Sequence, residues 1–142
     1  MKGKILYTFF VTVIAIVSSG CTRNNGDIGE LFGQWKVVSI TADGENVYGC
    51  DGVMYFAFQS SVYCQKIVNE EEHWDDYVFA KWNYERSGVL IDFGDPDYSP
   101  FACTGMSKGQ NYVEIISSDD GGMVMSYITL DGVEYRYILK KW

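Results

Sequence analysis

Four cysteines and one histidine are the residues in this chain whose types first suggest chemistry. A thiol can be acylated, paired with another thiol, bound to a metal or used as a nucleophile. His73 lies in Glu70-Glu71-Glu72-His73-Trp74-Asp75-Asp76, and Cys103 is the thiol that a Cys–His pair would use. A lone His in so acidic a stretch reads better as a surface residue. The sequence has no Gly-x-Ser-x-Gly, no phosphate loop and no Cys-x-x-Cys. Asp95, Asp97 and the Glu70–Asp76 run offer carboxylates to Ca²⁺, but without the twelve-residue loop of known sites. No catalytic residue, metal site or cofactor is assigned, and an enzyme is not expected.

The composition narrows the classes further. The 142 residues carry a net charge of −8, with 19 acidic against 11 basic side chains. Phosphate binding draws on clustered Lys and Arg, so nucleic acid is excluded as a partner class. The chain is 47% hydrophobic and 16% aromatic, enough to fill the core of one domain.

Residues 1–20 read as a signal peptide. Lys2 and Lys4 form a positive start, Ile5 to Val17 is an uncharged and mostly apolar run, and Ser18-Ser19-Gly20 precedes Cys21. The run is short of the ~20 residues that a membrane span needs. Small residues directly before a Cys resemble the lipobox of bacterial lipoproteins, with Ser18 where that motif usually has Leu. The resemblance implies cleavage before Cys21 and lipid attachment there, hence an exported protein held at the outer membrane or elsewhere in the cell envelope. A plain secreted protein with a free Cys21 thiol is the alternative. Cleavage removes Lys2 and Lys4 and takes the net charge to −10. Residues 21–30 are polar and read as a tether, leaving 31–142 as the folded domain.

That domain must be built from strands. Apolar runs of about eight residues alternate with turn chemistry, and β-branched and aromatic residues fill the runs. Strands are expected at 34–41, 53–60, 62–69, 77–86, 89–94, 111–118, 123–130 and 133–141. Asp131-Gly132, Ser87-Gly88, residues 118–122 and Ser60-Ser61 are tight turns. Short links favour an all-β, up-and-down antiparallel meander, and closing it into an eight-stranded barrel removes its two free edges. A two-sheet sandwich uses the same alternation with longer crossing loops. In the barrel the loops 60–61, 87–88 and 119–122 fall at one end. Loops 42–52, 70–76, 95–110 and 131–132 fall at the other, giving a pinched base and a looped, acidic mouth.

The first strand opens Leu31-Phe32-Gly33-Gln34-Trp35, which is similar to the Gly-x-Trp signature of lipocalins. The domain resembles the small lipocalin-like (calycin) lipoproteins of Bacteroidetes-type bacteria. The resemblance implies that Gly33 and Trp35 close the barrel base, with Lys140 packing on Trp35 as a cation–π contact. Inward parity falls on Met54, Phe56, Phe58, Trp82, Tyr84, Met123, Met125, Tyr127, Tyr135 and Tyr137. These either line a pocket for a small apolar or amphiphilic molecule at the mouth or fill the barrel. In a filled barrel the loops and outward aromatics such as Tyr55 and Tyr63 would contact a protein partner. Cys50 and Cys103 both lie in mouth loops and are the favoured disulfide. Cys64 sits near the base and packs as a small apolar residue.

Overall fold

The computed structural model describes residues 29–142. The leader, Cys21 and most of the tether lie outside the described residues. Phe32–Trp142 forms one compact unit.

Its strands are β1 (Gly33–Ala42), β2 (Glu45–Asn46), β3 (Val53–Gln59), β4 (Val62–Asn69), β5 (Trp74–Glu85), β6 (Gly88–Phe93), β7 (Gly109–Ser118), β8 (Gly122–Ile128) and β9 (Glu134–Lys141). β2 is a two-residue flap paired to the end of β1. The eight longer strands follow one another as antiparallel neighbours, and β1 closes the sheet by pairing with β9 as well as β3. This is the expected eight-stranded up-and-down barrel. Closure follows from alternation: one face of each strand is apolar, and a rolled sheet buries all of those faces together.

Several boundaries moved. β5 begins at Trp74, so most of the acidic run expected as a long mouth loop is strand or tight turn. The Asp131-Gly132 hairpin is wider than two residues. Thr129 and Val133 close it through Thr129 N–H to Val133 O (3.0 Å) and Val133 N–H to Thr129 Oγ1 (3.1 Å). Two register shifts, at Val37/Ser39 in β1 and Ile115/Ser117 in β7, give each strand one extra residue. Both extra residues, Val38 and Ile116, are exposed. These bulges increase local twist and bend a strand around a small barrel.

The base is sealed as expected, with one correction. Trp35 is buried and a lysine lies over its ring, but that lysine is Lys141, at 4.4 Å from the ring centroid. Lys140 is exposed, because it occupies the outward parity of β9. Lys141 pairs directly with Trp35 across the closing seam, and its ammonium donates to Phe32 O (2.5 Å). Burial pulls its pKa below the ordinary lysine value.

Candidate functional site

The barrel interior is occupied by its own rings. Phe56 meets Tyr63 and Tyr137 edge-on, each at 5.6 Å between centroids. Phe58 meets Tyr63 at 5.1 Å and Trp82 at 5.0 Å, and Tyr63 reaches Phe93 at 6.1 Å. These contacts join β3, β4, β5, β6 and β9 across the barrel. A side chain in water contact would show exposed area, yet Met54, Phe56, Phe58, Met123, Met125 and Tyr137 show at most 2%. They are packed as core.

The mouth is stopped by residues 94–108, the β6–β7 connection. A short 3-10 turn, Ala102–Thr104, sits in that segment. Tyr137 OH donates to Thr104 O (2.5 Å) from the barrel centre. Gln65, fully buried on β4, accepts from Phe101 N–H through Oε1 (2.9 Å). Its amide donates to Tyr63 OH (3.3 Å) and approaches Met106 Sδ (3.4 Å). Asn111 holds the other end, donating to Ser107 O (2.8 Å) and accepting from Ser107 N–H (2.9 Å). Gly105 lies with φ +71° against Tyr135, where a Cβ would fall 2.3 Å from the ring. A buried polar group without a partner is costly, so these bonds fix the plug in one arrangement. Gln65, Thr104 and Asn111 were not singled out from sequence. The available signal was a polar residue at inward parity in an apolar strand.

The sequence candidates therefore divide. Met54, Phe56, Phe58, Met123, Met125, Tyr127 and Tyr137 are buried inside the barrel, and Tyr135 is half-buried beneath the plug. Trp82 lies half-buried near the base, and its indole N–H has no partner among the described residues. Tyr84 shares the inward parity but is 53% exposed, because β5 runs on past the end of the packed interior. Tyr63, read as outward, points in. The Ser60-Ser61 turn sets it opposite Phe58 on the same face. Tyr55 does face out, but Trp142 covers it at 5.5 Å.

The open concavity is on the wall instead. A groove of about 560 Å³ is lined by Val62, Phe79, Lys81, Asp92, Asp95 and Tyr98, with Gly94 and Pro96 along its edge. Phe79 and Tyr98 meet edge-on at 5.4 Å and form its aromatic corner. The groove exists because β5 and β6 have different lengths. β5 has 12 residues and β6 has 6, and they pair only from Lys81↔Asp92 to Glu85↔Gly88. Above that point the plug segment passes at a distance and leaves a wedge. Tyr77 and Phe79 face outward beside it, 38% and 39% exposed. Sequence reading singled out neither aromatic and did not foresee the unequal strands. A second, shallower hollow at the top of β4 and β5 is lined by Val68, Asn69, Glu70, His73, Trp74 and Asp75.

The thiols are separate in the structure. Cys50, Cys64 and Cys103 are half-buried and unbonded, and Cys50 Sγ donates to Gly52 O (3.4 Å). Cys50 and Cys103 are nevertheless close enough to interact. Burial and the neighbouring Cys50 push the Cys103 thiol up. Burial and Cys50 likewise hold Tyr48 at about 12, while its hydroxyl accepts Met54 N–H (2.9 Å). A catalytic thiol needs the opposite shift, so the Cys103–His73 pairing gains no support. Among the described residues no group of three His, Cys, Asp or Glu is arranged to hold a metal. No described helix is long and apolar enough to cross a membrane.

No family model matches the chain, and no curated protein matches it. Solved structures do. A lipocalin-like protein from Bacteroides uniformis superposes with a TM-score of 0.59 at 14% identity, over 80% of this chain and 100% of that one. An uncharacterized protein from Bacteroides eggerthii superposes with a TM-score of 0.56 at 11% identity, over 79% and 99%. Identities this low speak for the fold alone. The chain has the lipocalin-like barrel fold.

Proposed function

We propose that this protein is a cell-envelope lipoprotein whose filled lipocalin-like barrel acts as a protein-interaction module, with recognition on the wall groove. The plugged mouth carries this reading: Tyr137–Thr104 and Gln65–Phe101 occupy the entry that a ligand in the barrel would use. The groove beside Phe79 and Tyr98 is the concave, partly aromatic surface left to a partner. The leader layout and Cys21 support a lipid tether, and several acyl chains on one residue give stable anchoring.

Two measurements test this. Intact mass of protein purified from its own membranes should show loss of residues 1–20 and an acyl increment on Cys21. An unacylated chain removes the tether. A photo-crosslinker at Tyr98 should give one defined protein adduct in cells, while the same group at Ile138, exposed on β9, gives none. Monomer alone at both positions removes the interaction reading. A small apolar molecule co-purifying and perturbing Met123 and Tyr137 would return recognition to the barrel interior.

A further inference from the structure

The wall groove runs beside an unpaired strand edge, and the register says which backbone groups are free. Across the β4–β5 seam, Trp82 N–H donates to Ser61 O (3.1 Å). In an antiparallel ladder bonding alternates along the strand, so Ala80, Val78 and Asp76 also bond toward β4. Phe79, Tyr77 and Asp75 therefore turn their N–H and C=O groups the other way. On that side β6 pairs no higher than Lys81. No backbone bond among the described residues reaches these three from the plug segment. The protein supplies one substitute itself: Asp76 Oδ1 accepts Tyr77 N–H (2.8 Å). Phe79 N–H has none.

An edge of free donors and acceptors beside an aromatic groove is what strand addition requires. Main-chain bonds supply the alignment and side-chain pockets supply selectivity. The carboxylates set the partner's charge. Asp92 and Asp95 line the groove, Asp97 follows them in the plug segment and Asp75 and Asp76 lie on β5, five carboxylates against Lys66, Lys81 and Lys108, whose ammonium donates to Pro96 O (2.7 Å). Lys66 is drawn over the Tyr77 ring at 5.1 Å from its centroid. An incoming strand with apolar residues at alternate positions would place them on Phe79 and Tyr98. Lys or Arg among the others would meet the carboxylates.

We infer that the upper half of β5 is a strand-addition site for an extended, basic and apolar segment of a partner protein, deepening the groove reading above. The segment pairs antiparallel or parallel to Asp75–Phe79 and fills the wedge between β5 and the plug.

The test uses the mature chain from Cys21, ¹⁵N-labelled, and a capped peptide alternating Lys and Val. The peptide should shift the amides of Tyr77, Phe79 and Tyr98 and protect Phe79 N–H from hydrogen exchange. Methylating the peptide amides that face β5 should weaken binding about tenfold or more, since backbone bonds are lost while side chains remain. Phe79→Pro should weaken it about tenfold beyond Phe79→Ala, because both lose the ring and only proline loses the N–H. Equal melting of the two variants guards against misfolding. Equal binding by the methylated peptide overturns strand addition. If the peptide fails but an amphiphile such as a lysolipid shifts the same amides, strand addition falls and the groove stands. If neither probe perturbs the groove, both readings fall. Protection of Phe79 N–H that grows with protein concentration in the absence of peptide assigns the edge to a second copy of this chain and overturns the heterologous partner.

Discussion

The barrel has two seams that do opposite things. At the β1–β9 seam the first and last strands meet from Trp35↔Lys141 to Ala42↔Tyr135, and a bulge keeps the pairing going around the bend. At the β5–β6 seam pairing stops at Lys81↔Asp92, and the upper half of β5, paired with β4 on one side, has no strand on the other among the described residues. The first seam is backed by Tyr137 and Leu139, both fully buried. The second is fronted by Tyr77 and Phe79, both more than a third exposed. Stability is concentrated where pairing and burial coincide, and a surface left with unpaired backbone is available for another molecule.

The largest effect should come from breaking the closed side. Tyr137→Ala removes a ring that touches Phe56 and a hydroxyl that holds Thr104. A loss of about 3–5 kcal/mol is expected, as for other buried aromatic truncations. Denaturant unfolding measures it. A loss below about 1 kcal/mol would mean that the interior is loosely packed and that a ligand cavity deserves another look. Gly105→Ala comes next. Its φ of +71° and the Tyr135 ring at 2.3 Å from the new Cβ force the plug to move. The expected cost is about 1–3 kcal/mol, with amide shifts through residues 101–107.

The thiols give a smaller but sharper contrast. Burial raises the Cys64 thiol to about 11, against an ordinary value of 9.0. Its thiolate fraction near neutral pH is then roughly a hundredfold below that of an unfolded chain, and alkylation should slow in proportion. Between those two pH values the unfolded state loses its proton first, so stability falls as pH rises from about 9 toward 11. Cys103 shifts the same way. Its neighbour Cys50 gives it a second route, thiol–disulfide exchange with an added disulfide such as oxidised glutathione. Two thiols become one bond and the reagent leaves as two thiols. Formation of Cys50–Cys103 would tie the β2–β3 loop to the plug, and it should slow exchange of the Thr104 amide. If the protein takes up only glutathione at each site, the two sulfurs do not meet.

The closed seam was largely legible in the sequence, and the open one was not. Alternation in 133–141 and the Gly33–Trp35 pair indicated both the closure and the sealed base. The same alternation carried one step further past Leu139 would have put Lys141, not Lys140, over Trp35. The two-residue Ser60-Ser61 turn likewise implied that Tyr63 shares a face with Phe58. Bulges at Val38 and Ile116 carry no marker of their own, since each is a β-branched residue in a β-branched run. The plug was hidden for another reason. Gln65, Thr104 and Asn111 matter through partners 20 to 36 residues away, and local pattern reports nothing about such pairing. The wedge beside β5 depends on strand lengths of 12 and 6, which rest on where pairing ends rather than on where hydrophobicity ends.

The smallest expected effect on stability is also the one that separates the two seams most cleanly. Phe79→Ala removes an exposed ring whose ring partners, Tyr98 and the stacked Tyr77, also lie on the outer side. Surface changes of this kind cost about 0.5 kcal/mol or less, so the melting curve should barely move. The β4–β5 ladder is untouched, because the backbone of residue 79 bonds away from β4. Hydrogen exchange then reports the edge directly. In the free protein the Phe79 amide should exchange by local exposure, orders of magnitude faster than the Lys36 and Arg136 amides, which bond across the closed seam. If Phe79 N–H is as protected as Arg136 N–H in the isolated chain, something already pairs with the β6 side of β5. The edge would then belong to the protein's own architecture rather than to a partner.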